Sequence, residues 1–250
     1  MAFTSDKEDK ELISRVEDVA SLSLTRKKPY FLGFLNEREQ YIINKQLPFY
    51  TQNISYYGGY DNAARKYLCF YEGEVENGDY PLSGIYFKFR KSDKLSHRDF
   101  LGALMNLGIE RNCVGDIIVN EGAAVCFVKN EIKDYIESQI SKIGRTGVKI
   151  VNENECNIDF TEDIEELSLI VSSMRLDVIV AAITKLSREK TANLILSGKV
   201  FLNYSENKNV SCFLNAEDII TIRGYGKFIL KEQIGTTKKG RKKIIINHYR

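Results

Sequence analysis

Residues 187–203, SREKTANLILSGKVFLN, combine the start of a helix with side chains that can bind an anion. Ser187 is a favoured N-cap residue, because its hydroxyl can accept a backbone N–H of the first helical turn. Arg188 and Lys190 fall in that turn, where cations are disfavoured beside the free N–H groups and the positive end of the helix dipole. This pattern predicts a phosphate-binding site, and the phosphate of nucleic acid is the commonest large anion in a cell.

No side chains with catalytic or metal-binding spacing accompany this site. His97, Arg98 and Asp99 could take part in catalysis, but they stand at a predicted helix start after Ser96, where capping accounts for them. The five cysteines never form a C-x-x-C pair and only two histidines are present, so a zinc site is not expected. The glycine pair in YYGGYDNAA lacks the spacing of a cofactor-binding turn. We therefore expect no metal, no cofactor and no catalytic residues.

Charge is divided unevenly along the chain. The net charge is only +2, but residues 172–250 hold fifteen Lys or Arg against six Asp or Glu, and residues 1–171 hold twenty-one against twenty-eight. The basic third is expected to bind a polyanion, and the acidic part to have another role, such as docking a protein. Arg175 and Asp177 interrupt the longest apolar region, 167–183, and the N-terminus is charged. We therefore expect a cytoplasmic protein without a membrane span.

The elements that must position these side chains begin with a small mixed α/β unit over residues 1–78. Helices are predicted over 7–20 and 35–47, and Asn36 and Glu39 have the spacing of a capping box at the start of the second. Two aromatic, strand-like runs follow on either side of a Gly-Gly pair. The overall fold class is therefore α+β.

Residues 79–152 show the clearest pattern in the chain. Their predicted order is β-α-β-β-α-β, the ferredoxin-like arrangement that the RNA-recognition motif (RRM) also uses. The third strand, GAAVCFVK (122–129), only faintly resembles the aromatic third strand with which RRM domains stack bases. RNA contact by this sheet and a purely structural or protein-docking sheet both stay open.

The last third follows an acidic segment. Residues 153–171 are predicted as an acidic linker, because seven acidic residues and no basic one lie between Glu153 and Glu166. Residues 172–235 predict two short helices beside a small β-sheet, the first helix capped by Ser172 or Ser173. Residues 236–250 are predicted as a basic tail that wraps phosphate and also adds an edge strand. Its basic residues are Lys238, Lys239, Arg241, Lys242 and Lys243.

The motifs of the last third resemble the S-four RNA-binding domain, first known from a small-subunit ribosomal protein. The likeness covers about sixty residues in the order of the family. It departs from the family at YSENKN (204–209), where the loop is longer and more polar. The motifs are Arg-Leu-Asp (175–177), Ser-Arg (187–188), Ala192, Gly-x-Val (198–200), Asn203, Asp218 and IRGYGKF (222–228). The resemblance implies that the RNA-facing residues are Arg175, Ser187, Arg188, Lys190, Asn193, Lys199, Arg223 and Lys227.

Nearly the whole chain resembles the YlmH family, in which an S-four domain follows a two-part N-terminal region. SHRDFLGALMNLGIERNCVGDIIV (96–119) is similar to its central block and GGYDNAARKYLCFY (58–71) to its second block. Here Ala64-Arg65-Lys66 stands where the family commonly carries Ala-Glu-Arg. The resemblance implies a bacterial protein that is associated with the cell-division gene neighbourhood and with ribosome-linked RNA binding, without an established enzymatic activity.

Together these patterns predict a non-catalytic protein that binds structured RNA on the ribosome, namely ribosomal RNA, tRNA or both. It is expected to recognise this RNA through contacts to phosphates and through its shape. A role in ribosome-linked quality control or in cell division follows from the family. Two alternatives stay open, namely a protein-interaction scaffold at the division site, whose acidic N-terminal region docks a partner, and an RNA-modifying enzyme.

Overall fold

A computed structural model describes residues 3–47, 53–161 and 163–249. These residues form six α-helices and four antiparallel sheets, which agrees with the predicted α+β class. The chain divides into two compact units, Met1–Phe160 and Thr161–Arg250. Each is described by itself.

The first unit begins with a helix and a three-stranded sheet. Its elements are α1 (Phe3–Arg26), β1 (Tyr30–Leu35), α2 (Glu37–Gln46), β2 (Ile54–Tyr57) and β3 (Lys66–Phe70), with the strand order β1-β3-β2. The predicted capping box of α2 is confirmed. The Glu39 N–H donates to Asn36 Oδ1 at 3.0 Å, and the Asn36 N–H donates to Glu39 Oε2 at 2.7 Å. Helix α1 continues beyond the predicted 7–20, and its buried Leu12, Val16 and Ala20 face this sheet and α2.

The rest of this unit follows the strand and helix order predicted for residues 79–152. Its elements are β4 (Leu82–Lys88), α3 (His97–Asn106), β5 (Val114–Asn120), β6 (Ala123–Lys129), α4 (Asn130–Gln139), β7 (Lys142–Ile143), β8 (Thr146–Gly147) and β9 (Lys149–Val151). The main sheet has the order β5-β6-β4-β9. Helix α4 ends at Gln139, and Gly144, at φ +58°, then allows the two-residue turn of the β7–β8 hairpin.

Both faces of the central strand β6 are buried inside the first unit. On one face, Ala124, Cys126 and Val128 of β6 pack in the core with α3 and α4. On the other face, Val125 and Phe127 pack in an aromatic core with side chains of β1 and β3. The aromatic residues of this second core include Phe34, Tyr67, Tyr80, Tyr60 and Phe160. The N-terminal part of the chain therefore covers β6 on the sheet face that helices leave open, whereas Tyr86 and Val151 on that face are only partly buried.

The second unit is built on a six-stranded sheet. Its elements are β10 (Ile164–Val171), α5 (Leu176–Thr184), α6 (Arg188–Leu196), β11 (Val200–Leu202), β12 (Ser205–Glu206), β13 (Ile219–Ile222), β14 (Gly226–Thr236) and β15 (Lys242–Tyr249). The strand order is β10-β15-β14-β13-β11-β12. Helices α5 and α6 bury Leu176, Ile179 and Ile195 against one face of the sheet, in a core that includes Phe228 and Ile246. We call this the inner face and the opposite one the outer face.

Strand β10 corrects the prediction of an acidic linker over 153–171. Residues 164–171 pair with β15 along their whole length, from Ile164 opposite Tyr249 to Val171 opposite Lys242. Leu167 and Leu169 alternate with exposed residues and pack against the inner-face core. Alternation of period two makes this segment a strand in spite of its acidic residues.

Strand β15 corrects the prediction of a basic tail over 236–250. It lies between β10 and β14 in the sheet, and Ile244 and Ile246 are fully buried. A strand with a neighbour on each side is not an edge strand, so the expected edge-strand role is also wrong. Of the described residues in this segment, only 237–241, the turn around Lys238 and Lys239, lie outside the paired strands.

Helix α5 begins later than predicted, because the residues before it are held in an extended conformation. Arg175, not Ser172 or Ser173, is its N-cap residue. The Leu214 N–H donates to the Met174 carbonyl at 2.8 Å, and the Leu176 N–H donates to the Cys212 carbonyl at 2.7 Å. These bonds tie the chain before α5 to residues 212–214.

Candidate nucleic-acid interface

The start of α6 has the geometry that its sequence predicts. Ser187 is the N-cap residue, with φ −65° and ψ 157°, and its Oγ accepts the Lys190 N–H at 3.4 Å. Arg188 and Lys190 are exposed, and Glu189 is the single acidic residue in this first turn. Two cations therefore stand in solvent beside backbone N–H groups at the positive end of the helix dipole. This arrangement suits a phosphate group.

Arg175, the N-cap residue of α5, adds a third cation on the face of the sheet that α5 and α6 cover. Arg175 donates from Nε to Asp177 Oδ1 at 3.0 Å and from Nη2 to Asp177 Oδ2 at 2.8 Å. The Asp177 side chain is only 8% exposed, whereas that of Arg175 is 31% exposed. This bidentate pair fixes the orientation of the guanidinium and leaves its Nη1 outside the two bonds.

The Arg175–Asp177 pair also sets the charge states of its members. The hydrogen bonds from Arg175 lower the pKa of Asp177 below its ordinary value, and the positive charge of Arg188 contributes to the same shift. The bond to Asp177 raises the pKa of Arg175. A carboxylate therefore lies among the predicted RNA-facing cations, where it holds one of them in place.

The predicted residues Lys199 and Arg223 lie side by side, because Lys199 directly precedes β11 and Arg223 directly follows its antiparallel partner β13. The Arg223 N–H donates to the Lys199 carbonyl at 2.9 Å, and both side chains are exposed. The Arg223 guanidinium carbon lies 5.3 Å from the centre of the Phe201 ring. A nearby carboxylate, Glu206, binds Lys208 at 2.9 Å.

The structure does not bring the whole predicted set to one surface. Lys227 precedes the buried Phe228 on β14, and alternation turns its side chain away from the inner face, to which Phe228 belongs. Its Nζ lies 4.8 Å from the centre of the Tyr249 ring. Thus Lys227 belongs to the outer face of the sheet. Of the predicted RNA-facing residues, those carried by α5, α6 and their N-caps are Arg175, Ser187, Arg188, Lys190 and Asn193.

The basic residues predicted in the tail lie at a β-hairpin instead. The Thr237 N–H donates to the Arg241 carbonyl at 2.7 Å, and the Arg241 N–H donates to Thr237 Oγ1 at 3.1 Å. Lys238, Lys239 and Arg241 are exposed on this turn, and Lys242 and Lys243 begin β15. The hairpin therefore displays its cations from a fixed backbone.

Two motif residues of the S-four resemblance have structural roles. Asn203 Nδ2 donates to Asp218 Oδ1 at 2.8 Å, and Asn203 Oδ1 accepts the Ile219 N–H at 2.9 Å. Asn203 and Tyr204 both have positive φ, at 49° and 63°, and they form the two-residue turn between β11 and β12. The long polar loop after Asn203 therefore begins with a hairpin that Asp218 anchors.

Phe213 is a candidate interface residue that the sequence patterns missed. Its side chain is 67% exposed, the largest exposed fraction among the large apolar residues reported for the described chain. An antiparallel β-bridge pairs it with Arg175. In the sequence Phe213 stands next to Leu214, which is buried. The apolar pair in SCFLN therefore suggests two core residues when it is considered without the rest of the fold.

His97, Arg98 and Asp99 lie at the start of α3, where Asp99 acts as a capping residue. Its carboxylate accepts the Ser96 N–H at 2.8 Å and the Ser96 hydroxyl at 2.6 Å, and these bonds lower its pKa. Burial lowers the pKa of His97, and the charge of Arg111 adds to the effect. The contacts of Asp99 are those of a helix cap, with no third group oriented for proton transfer among them.

Arg65, which stands where the YlmH family commonly carries Glu, connects strands β1 and β5 of the first unit. Its Nε donates to the Val114 carbonyl at 3.0 Å and its Nη2 to the Phe34 carbonyl at 3.2 Å. Asp116 accepts the Ala64 N–H at 2.6 Å and the Arg65 N–H at 3.1 Å. The side chain therefore has a structural role between β1 and β5.

The described residues contain no group of three or more His, Cys, Asp or Glu side chains that could hold a metal ion. Across the same residues, no helix is both long enough and apolar enough to cross a bilayer. All five cysteines are free thiols. Burial raises the pKa of Cys69 to about 11, which disfavours its reactive thiolate form.

Comparison with known proteins decides the family. The chain is 32% identical over 213 residues to the "Ribosome-associated protein quality control protein P2" of Bacillus subtilis (strain 168), and the match covers 82% of each chain. The chain belongs to the YlmH family. The membership predicted from residues 58–71 and 96–119 is thus confirmed.

Two further likenesses agree with this family. Residues 76–157 match the family model described as "Putative RNA-binding domain in YlmH". The solved structure titled "Cell division protein ylmH from Streptococcus pneumoniae" is similar to 61% of this chain and 95% of its own, with a TM-score of 0.50 and 22% identity. At that identity the second likeness shows the fold alone.

Proposed function

We propose that this YlmH-family chain is a non-catalytic RNA-binding protein, and that the unit Thr161–Arg250 is an S-four-type domain that binds structured RNA. The observation that carries the proposal is the start of α6, where exposed Arg188 and Lys190 flank the N–H groups that Ser187 caps. Arg175 adds a guanidinium whose orientation Asp177 fixes. These groups match phosphates at defined positions and do not read a base sequence.

The proposed contact set keeps the residues that the S-four resemblance implies. Contacts carried by α5, α6 and their caps come first, and Lys199 and Arg223 extend them at the end of the sheet. The hairpin turn adds a second group of cations that contact phosphates without sequence preference. Its members are Lys238, Lys239, Arg241, Lys242 and Lys243.

The middle part of the first unit is proposed as an RRM-like fold whose sheet does not bind RNA in the RRM manner. RRM domains stack bases on one open face of their sheet. Here Phe127 and Val125 on that face are 2% and 0% exposed, because aromatic residues of the N-terminal part cover them. RNA contacts from residues 76–157 would therefore use surfaces other than β6.

The relative's name gives the proposed setting. A protein named for ribosome-associated quality control is similar to 82% of this chain, and its name is not that of an enzyme. We infer that this chain acts in the cytoplasm on ribosomal RNA or tRNA at the ribosome. A role in quality control is favoured over one in division, because the division name comes from the less similar protein.

Salt dependence tests the proposal on the full chain. With about four phosphates neutralised and a slope of roughly −0.7 per contact, affinity for a tRNA or a ribosomal RNA fragment should fall about fifty-fold between 50 and 200 mM salt. A filter-binding titration measures it. Cellular complexes of the chain should also dissolve on RNase treatment. Complexes that survive RNase, together with a flat salt profile, would favour the protein-interaction scaffold instead.

A further inference from the structure

The outer face of the six-stranded sheet carries a row of aromatic and basic side chains. Its cations belong to the proposed contact set, whereas its aromatic rings have no role in that set. The row crosses five strands, and its members are direct cross-strand partners. In order, they are Phe201, Thr221, Lys227, Tyr249 and Ile164. Lys199 and Arg223, joined by a backbone hydrogen bond, continue the same alternation one pair further on. We call these seven residues the outer row.

The outer row is separate from the core of its unit. Phe228, Leu230 and Ile246 belong to the inner-face core, whereas neither Phe201 nor Tyr249 packs in it. Ile164, at one end of the row, is 39% exposed. A sheet with helices on one face has a second face that either packs against another element or partner or is exposed to solvent.

Charge indicates what the outer row binds. Its three charged members, Lys199, Arg223 and Lys227, are all cations. Glu206, the carboxylate opposite Phe201, binds Lys208 at 2.9 Å. The partner is therefore expected to be an anion.

The aromatic rings indicate which kind of anion. Arg223 lies over the Phe201 ring, at 5.3 Å, and Lys227 lies over the Tyr249 ring, at 4.8 Å. Such exposed cation–π contacts are weaker than the stacking of a nucleobase on an aromatic ring. A base can therefore replace the cation on the ring, while the long side chain turns to the phosphate of the same nucleotide.

We propose that the outer row binds an unpaired segment of RNA, with bases on Phe201 and Tyr249 and phosphates on Lys199, Arg223 and Lys227. The two rings stand three strand spacings apart, about 14 Å, so they take two separate bases. This inference rests on the proposed RNA-binding function. It adds a second RNA contact, of a different chemistry, on the other face of the domain from the helices.

A pair of variants separates stacking from charge. F201L/Y249L keeps apolar side chains on the strands and removes both rings. It should weaken binding of the full chain to a labelled, unstructured decauridylate by about tenfold or more, without changing the salt slope. R223Q/K227Q keeps both rings and should make the slope shallower by one to two contacts. Y135L, which removes an exposed tyrosine from α4 in the first unit, is the matched control and should change neither value.

Crosslinking gives an independent readout. Irradiation of the full chain with an oligonucleotide that contains 4-thiouridine should yield crosslinked peptides that include Phe201 or Tyr249. The circular dichroism of each variant shows whether it folds. If F201L/Y249L does not fold, the crosslinks still decide, because peptides found only from α5 and α6 would overturn the inference.

The outcomes distinguish this inference from the proposed function. If tRNA binds and the decauridylate binds equally well to the wild type and F201L/Y249L, the outer row is not a base platform. Another outcome is the capture of a protein that binds without competing with either RNA and that F201L/Y249L no longer binds. That result would overturn the inference and make the outer row a protein-docking surface. If neither RNA binds the wild type, the proposed function fails, and this inference fails with it.

Discussion

Arg188 and Lys190 carry the first prediction, because they are exposed cations beside the N–H groups that Ser187 caps. Replacing both with Ala removes charge without touching the buried Thr191 and Ile195 of the same helix. R188A/K190A should therefore stay folded and bind tRNA and ribosomal RNA more weakly. The salt slope should become shallower by one to two contacts, and the loss for Arg188 alone should be about 1–2 kcal/mol.

A control of equal charge comes from the first unit. K142A/R145A removes two exposed cations from the β7–β8 hairpin. Its affinity and slope, measured by the same titration, should remain close to those of the wild type. Equal losses in both variants would mean that net charge, and not the start of α6, determines binding.

Asp177 allows a prediction on stability and pH. Its folded pKa is lowered, chiefly by hydrogen bonds from Arg175, so its ionised form contributes stability above the ordinary carboxyl pKa of about 3.9. That contribution is lost as pH falls through the lowered folded value. D177N should therefore unfold about 1–3 kcal/mol more easily in urea at pH 7. The difference from the wild type should shrink below about pH 4. A difference that is constant with pH would mean that the carboxylate charge is not involved.

Lys227 and Phe213 show what residue patterns alone could not decide. The sequence motif placed Lys227 with the helix cations, but cross-strand pairing with Thr221 and Tyr249 puts it on the outer face. Phe213 is exposed because hydrogen bonds of its neighbours Cys212 and Leu214 hold the loop against the residues before α5. Both facts depend on pairing between segments far apart in the chain, which a motif does not contain.

At the scale of elements, the sequence predicted well those segments whose signals are local. The capping box at Asn36 and the cap at Ser187 need only residues three positions apart, and both were found where predicted. Strand β10 was missed because its charge suggested a linker. The alternation of Leu167, Leu169 and Val171 was already present in the sequence, but their burial requires β15, more than seventy residues later.

The assignment of β15 as a central strand can be tested with two isoleucines of that strand. Ile246 is fully buried on the inner face, and its neighbour Ile245 points to the outer face. I246A should lower the free energy of unfolding by about 2–5 kcal/mol, because it leaves a cavity in a core. I245A should lower it by roughly 1 kcal/mol or less. Urea unfolding measures both, and equal effects would support a tail that is not part of the sheet.

Strand β6 shows the opposite limit of prediction. The run AAVCFVK correctly indicated a buried strand, but it left open whether one sheet face binds RNA. The answer lies in Tyr60 and Phe160, which come from other parts of the chain and whose ring centres lie 5.6 Å and 6.4 Å from that of Phe127. Without aromatic spacing typical of an RNA-binding strand, the sequence could not show what occupies that face.

At the scale of the whole molecule, the two units have different charge and different surfaces. Residues 161–250 hold fifteen Lys or Arg against ten Asp or Glu, and residues 1–160 hold twenty-one against twenty-four. Each unit has buried cores made of its own residues. The basic unit is thus expected to supply most of the affinity for RNA. The acidic unit is expected to contact a protein partner or to orient the chain on its RNA.

Separate expression of the two units tests this division. The fragment 161–250 contains β10 and β15, so its sheet is complete, and it should bind tRNA or ribosomal RNA with most of the affinity of the full chain. A fragment 172–250 would lack β10 and leave β15 at an exposed edge, so it should be less stable. The fragment 1–160 should bind weakly, since it is net acidic and both faces of the central strand β6 are buried. Titration of all three at one salt concentration measures this. Binding by 1–160 as tight as that of the full chain would place the RNA contacts on its helices and loops, and would reduce the start of α6 to an accessory contact.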